Sequence, residues 1–264
     1  MMDVAHLLAV NATWLAVVFL ALWLISLALR DVSFIDSWWA FGLGALGLAA
    51  FLETPDYGPR QRVLVMLAVV WALRLGLYIF WRWRNHGPDK RYVAIIDHAK
   101  RARGWTFATT AGVQVFLLQG VLQFIASLPV QLGQWDGDGE IGALTIIGAA
   151  LALFGLLFET VGDAQLVAFK ANGANKGKVL ESGLWHYTRH PNYFGEAAFW
   201  WGIFLIAAQS KLGLWSLPSP ILVTFLLTRI SGVPMLEAAM KKKPDHAAYA
   251  ACTPAFFPWF PKKS

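Results

Sequence analysis

The most restrictive feature of this sequence is an uninterrupted apolar run near its start. From Leu7 to Leu29 the chain carries no charged side chain, and the run ends at Arg30-Asp31. A membrane-spanning helix needs about 20 mostly apolar residues, so this run is long enough to cross a bilayer. It is too long for a secretory signal peptide, and no small-residue cleavage site follows it. The run therefore predicts a first transmembrane helix.

Further apolar segments follow the first, and together they predict seven transmembrane helices. The predicted spans are 7–29, 34–52, 62–81, 107–130, 141–162, 193–209 and 214–230. These segments are apolar on all sides, whereas buried helices of a soluble protein would show amphipathic stripes. The chain is only 14% charged, against about a quarter in soluble domains. We therefore expect an all-α, polytopic membrane protein that forms a single domain over residues 1–264, and not a soluble enzyme, a disulfide scaffold or a disordered chain.

Lysine and arginine predict the orientation of these helices, because they concentrate on the cytoplasmic side of a membrane. With seven spans, the loops 82–106 and 163–192 and the C-terminal tail fall on one side, and they contain most of the basic residues. The opposite side has few bases and an acidic loop around Asp136 and Asp138. We therefore predict an outside N-terminus and a cytoplasmic C-terminus, in the bacterial inner membrane.

The net charge of +6 is explained by this bias and by attraction to anionic lipid headgroups. No nucleic-acid motif is present, so no nucleic-acid partner is predicted. The single cysteine, Cys252, forms no internal disulfide and belongs to no cluster with metal-ligand spacing. We expect the lipid bilayer as a partner, no metal site and no obligate protein partner.

Polar side chains inside membrane spans are costly, so each one is a candidate for function. Arg74 and Tyr78 are four residues apart in the third span and share one helical face. Glu159 and Asp163 are likewise four apart at the end of the fifth. The alternative is structural pairing, for example of Arg74 with Asp36. We interpret the glutamines as residues that form hydrogen bonds between helices. The remaining polar candidates are Gln114, Gln119, Gln123, Glu196 and Arg229.

The segment 183–196 is the richest in polar and aromatic side chains, at the predicted cytoplasmic start of the sixth span. Pro191 suits the first turn of a helix, and the free N–H groups of a helix N-terminus bind anions. Arg189 and Lys170 would add positive charge for phosphates. An interfacial aromatic belt explains the aromatic residues but not Asn192 and Glu196, which enter the span after them. The side chains that could stack on a flat ring are Trp185, Tyr187 and Tyr193.

Three blocks of residues, from about Phe158 to the end, resemble the steroid 5α-reductase family of membrane enzymes, and more closely its bacterial DUF1295 branch. The first block is Glu159-x3-Asp163-x6-Lys170. The second is Gly183…Tyr187-x4-Asn192-x2-Gly195-Glu196. The third is Arg229 with the terminal Tyr249…Phe256-Phe257-Pro258-Trp259-Phe260. The resemblance depends on the joint order and spacing of the blocks, because any one block alone is weak.

This resemblance implies a seven-helix fold in which residues 106–264 bind NADPH and residues 1–105 form a divergent substrate side. It implies a reductase that transfers hydride to the enone-type double bond of a lipophilic small molecule, which is steroid-, isoprenoid- or fatty-acyl-like. Two groups would polarise the carbonyl oxygen as enolate charge develops in a dry cavity. Glu196 is a candidate catalytic residue. The candidate cofactor-binding residues are Glu159, Asp163, Lys170, Trp185, Tyr187, Arg189, His190, Asn192, Tyr193 and Arg229.

The N-terminal half departs from the family pattern. The spacing Arg74-x3-Tyr78 is similar to the family's third span, but Trp71 stands where a tyrosine is expected, and the family's Gln-Glu pair on the second span is absent. The nearest carboxylate is Asp36. A carboxyl group kept protonated in an apolar pocket can donate to a carbonyl, so we hypothesise that Asp36, together with Tyr78, is catalytic. The candidate substrate-binding residues are Trp38, Trp71, Arg74 and Gln114.

A second resemblance offers an alternative function. Arg189-His190-Pro191-x-Tyr193-x-Gly195 is similar to a stretch of the isoprenylcysteine and phospholipid methyltransferases, which use S-adenosylmethionine, and Glu237 would be their later carboxylate. The first block and the aromatic–proline terminus favour the reductase. A third hypothesis is a transporter or binding protein without catalysis. It would need a polar path across all spans, whereas the polar residues cluster on the predicted cytoplasmic side.

Overall fold

The computed structural model describes residues 4–54, 57–135 and 139–262. Within those ranges the chain is helical and forms no strand, which confirms the predicted all-α class. The acidic loop predicted around Asp136 and Asp138 lies outside the described residues. The α-helices are α1 (Val4–Leu29), α2 (Ile35–Glu53), α3 (Pro59–His86), α4 (Lys90–Arg103), α5 (Phe107–Thr110), α6 (Leu118–Ala126), α7 (Leu128–Leu132), α8 (Ala143–Ala171), α9 (Pro191–Ala208), α10 (Pro218–Phe225), α11 (Val233–Met240) and α12 (His246–Cys252).

Two segments depart from α-helical geometry inside longer helical stretches. The π-helix Ala111–Leu117 joins α5 to α6, and the π-helix Leu226–Ile230 follows α10. A π-helix adds a residue to the helical turn and is frequent at functional sites. Both segments are therefore places where the side-chain register of a membrane helix changes.

Helix α1 shows why these helices belong in a membrane. Its outward face carries large apolar side chains, and Val17, Leu20 and Leu24 are each more than half exposed. A soluble helix would place polar residues on such a face, whereas lipid accepts apolar ones. Its buried side chains recur about every fourth position and form one stripe. They are Leu7, Asn11, Leu15, Phe19 and Ser26.

Six helical segments among the described residues are long and apolar enough to cross a membrane. They are Val4–Leu29, Ile35–Glu53, Pro59–His86, Phe107–Ala126, Ala143–Ala171 and Gly213–Met240. The predicted sixth span, 193–209, forms α9, which has 18 residues but lies outside this set because its first turns carry polar side chains. The chain is therefore an integral, multi-pass membrane protein, while the seventh span and the orientation stay predictions.

The chain divides into two compact units, each of which is described by itself. Unit 1 is Met1–Gly142 with Ala207–Ser216, and unit 2 is Ala143–Ile206 with Leu217–Ser264. In unit 1, α2 packs closely along α3. A Cβ on Gly44 would lie 2.5 Å from the Cβ of Ala72. Small residues at such contacts let membrane helices approach and gain dispersion energy.

In unit 2, a seam of glycines joins α8 to α9. A Cβ on Gly148 would lie 2.6 Å from the carbonyl oxygen of Gly202, and one on Gly162 would lie 3.2 Å from the amide nitrogen of Asn192. A seven-residue repeat keeps one face of a helix against its neighbour over several turns. The seam therefore brings the end of α8 onto the start of α9. Its members at this spacing are Gly148, Gly155 and Gly162 on α8 and Gly195 and Gly202 on α9.

Candidate functional site

The candidate cofactor site of unit 2 begins where the end of α8 meets the start of α9. Asn192 donates from Nδ2 to Oδ1 of Asp163 over 3.1 Å. Trp185 donates from its indole Nε1 to the carbonyl oxygen of Gly162, also over 3.1 Å. Asp163 and Trp185 are both buried. Residues from the first two sequence blocks therefore lie together at one place.

Gly183 sets the path of the loop that reaches this place. Its φ of +64° lies in the left-handed region, which glycine adopts without steric cost. The side chain of Gln165 on α8 packs against Gly183, and its Oε1 accepts a hydrogen bond from the amide of Leu184 over 3.0 Å. The short 3₁₀ turn Gly183–His186 is thereby held on α8, which explains why Trp185 is buried.

A partly buried cluster of polar side chains follows, centred on Glu237 of α11. Its Oε1 accepts from Nε of Arg189 over 2.8 Å and lies 2.9 Å from Nε2 of His190, while its Oε2 lies 3.1 Å from Nε2 of His246. The side chain of Glu237 is 15% exposed and that of His190 is fully buried. Both oxygens of the carboxylate are therefore engaged within the protein. We call these four residues the Glu237 cluster.

The same stretch fastens the C-terminal segment, residues 245–262. The amide of Arg189 donates to the carbonyl of Pro254, and its Nη1 donates to the carbonyl of Ala250 over 3.1 Å. The hydroxyl of Thr188 donates to the carbonyl of Phe256 over 2.9 Å. The hydroxyl of Tyr249 donates to the carbonyl of Trp185, and the amide of Trp259 to the carbonyl of Tyr187. The C-terminal segment thus forms one wall of the candidate site.

The predicted cofactor residues fall into two groups by exposure. Lys170, Tyr187 and Arg229 lie exposed, and Arg229 belongs to the π-helix Leu226–Ile230. Glu159 is buried near the end of α8, and Glu196 is half-buried in α9. The guanidinium of the predicted phosphate ligand Arg189 is paired with Glu237. The remaining pair, His190 and Tyr193, stack with ring centroids 5.7 Å apart.

Two polar atoms of this site are buried without a hydrogen-bond partner among the described residues. They are Oδ1 of Asn192 and Nδ1 of His190. Buried polar atoms are nearly always paired in folded proteins, so an unpaired one marks a place for a ligand or a water molecule. The Asn192 oxygen is an acceptor and the exposed cations are donors, a set that matches the amide and phosphate groups of a dinucleotide.

Unit 1 contains a second polar cluster, around Asp36 at the start of α2. Asp36 Oδ2 accepts from Nη2 of Arg91 over 2.7 Å, and its Oδ1 accepts from the hydroxyl of Tyr92 over 2.5 Å. Gln119 donates from Nε2 to the Tyr92 hydroxyl over 2.7 Å, and Arg91 also pairs with Asp89. We call Asp36, Asp89, Arg91, Tyr92 and Gln119 the Asp36 cluster. The cluster connects α2, α4 and α6.

This cluster corrects the predicted environment of Asp36. We expected a protonated carboxyl group in an apolar pocket, able to donate to a substrate carbonyl. Instead, a guanidinium and a phenol donate to its two oxygens. Both oxygens of Asp36 therefore accept hydrogen bonds from side chains of the protein and do not face an apolar pocket. The catalytic role of Asp36 stays a prediction.

The other predicted residues of unit 1 lie on α2, on α3 and on the π-helix Ala111–Leu117. The guanidinium of Arg74 lies over the ring of Tyr78, 5.7 Å from its centroid, which confirms that the two share a face. Trp71 is fully buried, Gln114 is half-buried, and the indole nitrogen of Trp38 is buried without a hydrogen-bond partner among the described residues.

Two of the predicted glutamines, Gln119 and Gln123, form hydrogen bonds between helices, as predicted. Gln119 bonds Tyr92 of α4, and Gln123 donates from Nε2 to the carbonyl of Trp39 on α2 over 2.7 Å. The sequence patterns do not predict three members of the two clusters, which are Arg91, Tyr92 and His246. Arg91 lies in the basic loop 82–106, which predicts only the orientation of the helices. No periodic pattern connects Arg91 to Asp36, so nothing local in the sequence indicates their contact.

The fold and these clusters define an all-helical, multi-pass integral membrane protein with a buried polar site in each unit. Comparison with known families then identifies its relatives: the chain belongs to DUF1295, a family described as proteins of unknown function, which matches residues 22–253. This confirms the predicted membership of DUF1295. No curated protein and no solved structure matches the chain.

Two buried tyrosines, Tyr92 of the Asp36 cluster and Tyr249 of the C-terminal segment, predict how stability depends on pH. Burial, followed by the charge of Asp36, raises the pKa of Tyr92, and burial raises the pKa of Tyr249. Both contribute stability below the unfolded pKa of about 10 and lose it as the pH rises towards the folded pKa, by about 1.4 kcal/mol per pH unit for each tyrosine. We expect the melting temperature to fall above about pH 10, as measured by thermal unfolding in detergent.

The controls for this alkaline effect are single phenylalanine substitutions. Tyr92→Phe and Tyr249→Phe should each flatten the alkaline decline, because a ring without a hydroxyl cannot ionise. Tyr57→Phe, at a ring that is 43% exposed, should leave the decline unchanged. An equally steep decline in all three variants would contradict the assignment.

Proposed function

We propose that this protein is a membrane-embedded reductase that uses NADPH to reduce the enone-type double bond of a lipophilic substrate. The observation that carries the proposal is the contact of Asn192 with Asp163. It joins the two sequence blocks whose resemblance to the steroid 5α-reductases implies NADPH binding. The proposal includes α9 as a seventh span, an outside N-terminus and a cofactor site that opens to the cytoplasm.

The residues around this contact fit a dinucleotide. The unpaired Oδ1 of Asn192 offers an acceptor for an amide N–H. The N-terminus of α9 presents backbone N–H groups to phosphate oxygens, and Lys170 and Arg229 expose positive charge that phosphates attract. Bound NADPH would supply the hydride. The chain would hold the amide and the phosphates, while the buried Trp185 excludes water from one side.

The S-adenosylmethionine alternative is favoured by one observation, the contact of Arg189 and His190 with Glu237. This contact joins the Arg-His-Pro stretch to the later carboxylate that the methyltransferase resemblance requires. However, both oxygens of Glu237 accept from side chains of the protein, since His246 takes the second one. The carboxylate is then occupied in fastening the C-terminal segment, and we place the reductase first.

The test is a thermal-shift measurement on the purified protein in detergent with NADPH, NADH and S-adenosylmethionine. At a concentration 100-fold above Kd, a ligand stabilises the folded state by about 2.7 kcal/mol. We expect NADPH to raise the melting temperature by an amount that Asn192→Ala reduces. The matched control is Asn85→Ala, at an exposed residue that bonds the Trp81 carbonyl of its own helix.

Three results would contradict the proposal. A shift with S-adenosylmethionine alone would establish the methyltransferase alternative, and no shift with any of the three compounds would exclude both cofactors. An NADPH shift that Asn192→Ala leaves unchanged would place NADPH elsewhere on the protein. An NADPH shift that Asn192→Ala reduces and Asn85→Ala retains supports the site described above.

A further inference from the structure

A long apolar groove lies on unit 1, with α1 as one wall and the π-helix Ala111–Leu117 and α6 as the other. Its volume is about 520 Å³, within the range of about 300–1,000 Å³ typical of small-molecule sites. Both walls belong to segments that can cross a membrane. The residues that line it are Ala12, Leu15, Ala16, Phe19, Leu20, Trp23, Gly112, Phe116, Leu117, Gly120, Val121, Phe124 and Ile125.

The groove is built by small residues and by the π-helix Ala111–Leu117. Ala12 and Ala16 leave space on the exposed face of α1, and Gly112 and Gly120 leave space on the opposite wall. Phe116 and Leu117 reach the groove from the π-helix, whose extra residue per turn changes the side-chain register of this wall. A π-helix is frequent at functional sites, so its position in the wall is a second, independent sign of a binding site.

The floor of the groove is packed into the hydrophobic core of unit 1. Leu15, Phe19 and Phe116 line the groove and are also buried in the hydrophobic cluster that includes Tyr92. The indole nitrogen of Trp23 donates to the carbonyl of Ala108 over 3.0 Å, which fixes one end of the wall. A preformed groove lowers the entropy that is lost when a flexible ligand binds.

We infer that this groove binds one hydrocarbon chain of an amphipathic membrane lipid. Its lining is apolar, and the indole N–H of Trp23 is already satisfied by Ala108, so the groove recognises a chain by shape and dispersion contacts alone. A water-soluble ligand has no polar partner there. Its walls lie in segments that can cross the bilayer, where hydrocarbon chains are the surrounding molecules. The inference concerns unit 1 alone and does not need the proposed cofactor.

The experiment uses the whole protein in phosphatidylcholine nanodiscs with two photoreactive probes, a diazirine-bearing palmitate and a diazirine-bearing isoprenoid alcohol. After irradiation, labelled peptides are mapped by mass spectrometry. We expect residues 12–23 and 112–125 to be labelled several-fold more than other exposed apolar surfaces, such as Ile146 and Ile147 of α8. The probe that gives the stronger labelling identifies the kind of chain.

A pair of substitutions on α1 makes the test specific to the groove. Ala16→Phe fills the groove and should remove the excess labelling, whereas Ala21→Phe, at an exposed alanine outside the lining, should keep it. Labelling by both probes in proportion to exposure alone would overturn the inference, as would equal loss in the two variants. Since no cofactor is added, failure here is separate from failure of the NADPH experiment.

Discussion

Replacement of Glu237 by alanine is expected to lower the thermal stability of the protein and to release its C-terminal segment, residues 245–262. The side chains of Arg189 and His190 are 12% and 0% exposed, so removal of the carboxylate leaves a guanidinium and an imidazole without their acceptor. Removing one partner of a fully buried ion pair costs about 3–5 kcal/mol, and the partial exposure of Arg189 and Glu237 lowers the expected cost to about 1–3 kcal/mol. Release of the C-terminal segment is expected because Arg189, which Glu237 holds in place, also donates to the carbonyls of Ala250 and Pro254.

Two measurements check this expectation. Thermal unfolding reports the loss of stability, and limited proteolysis reports whether the C-terminal segment becomes accessible. Glu237→Gln keeps an acceptor oxygen and should lose less than Glu237→Ala. Glu181→Gln, at an exposed carboxylate, is the matched control and should behave as the wild type. An unchanged melting temperature together with a protected C-terminal segment in Glu237→Ala would exclude the structural role of the Glu237 cluster.

The membrane helices could be predicted from the sequence because hydropathy acts locally. The lipid environment requires about 20 apolar residues in a row, and α1 and α2 begin and end within a few residues of the predicted spans. The end of α8 was harder to predict from the sequence. The helix continues to Ala171, beyond the predicted end at residue 162, because Asp163 faces Asn192 inside the protein and so does not end the helix.

The candidate site was predictable only where the spacing of residues repeats a known pattern. The blocks around Asp163 and Asn192 were found in this way, and the structure places them in contact. The Asp36 cluster has no such signal, because Asp36 and Tyr92 are 56 residues apart and come together only in the folded protein, where the side chains at the start of α4 meet the start of α2. The charge count therefore assigned Arg91 to a loop, whereas tertiary contact makes it the partner of Asp36.

Replacement of Asp36 by asparagine is expected to destabilise unit 1 and to slow the proposed reductase. Arg91 keeps Asp89 but loses the charge of Asp36, and the buried hydroxyl of Tyr92 loses its strong acceptor. A buried group left without its charged partner costs about 1–3 kcal/mol. Arg91 and Tyr92 donate to different oxygens of Asp36, and the amide replaces one of these acceptor atoms by an NH2 group that can only donate. Turnover should fall because Tyr92 and Gln119 lose their fixed position.

Two comparison variants separate position from charge in this cluster. Tyr92→Phe removes only the hydroxyl, and Asp97→Asn changes an exposed carboxylate on the same helix, α4. We expect the melting temperature to fall in Asp36→Asn, to fall less in Tyr92→Phe and to stay constant in Asp97→Asn. NADPH oxidation is then measured well below the melting temperature of each variant. If Asp36→Asn is folded and oxidises NADPH at the wild-type rate, Asp36 has no part in the reaction, and its cluster serves only to hold α4 against α2.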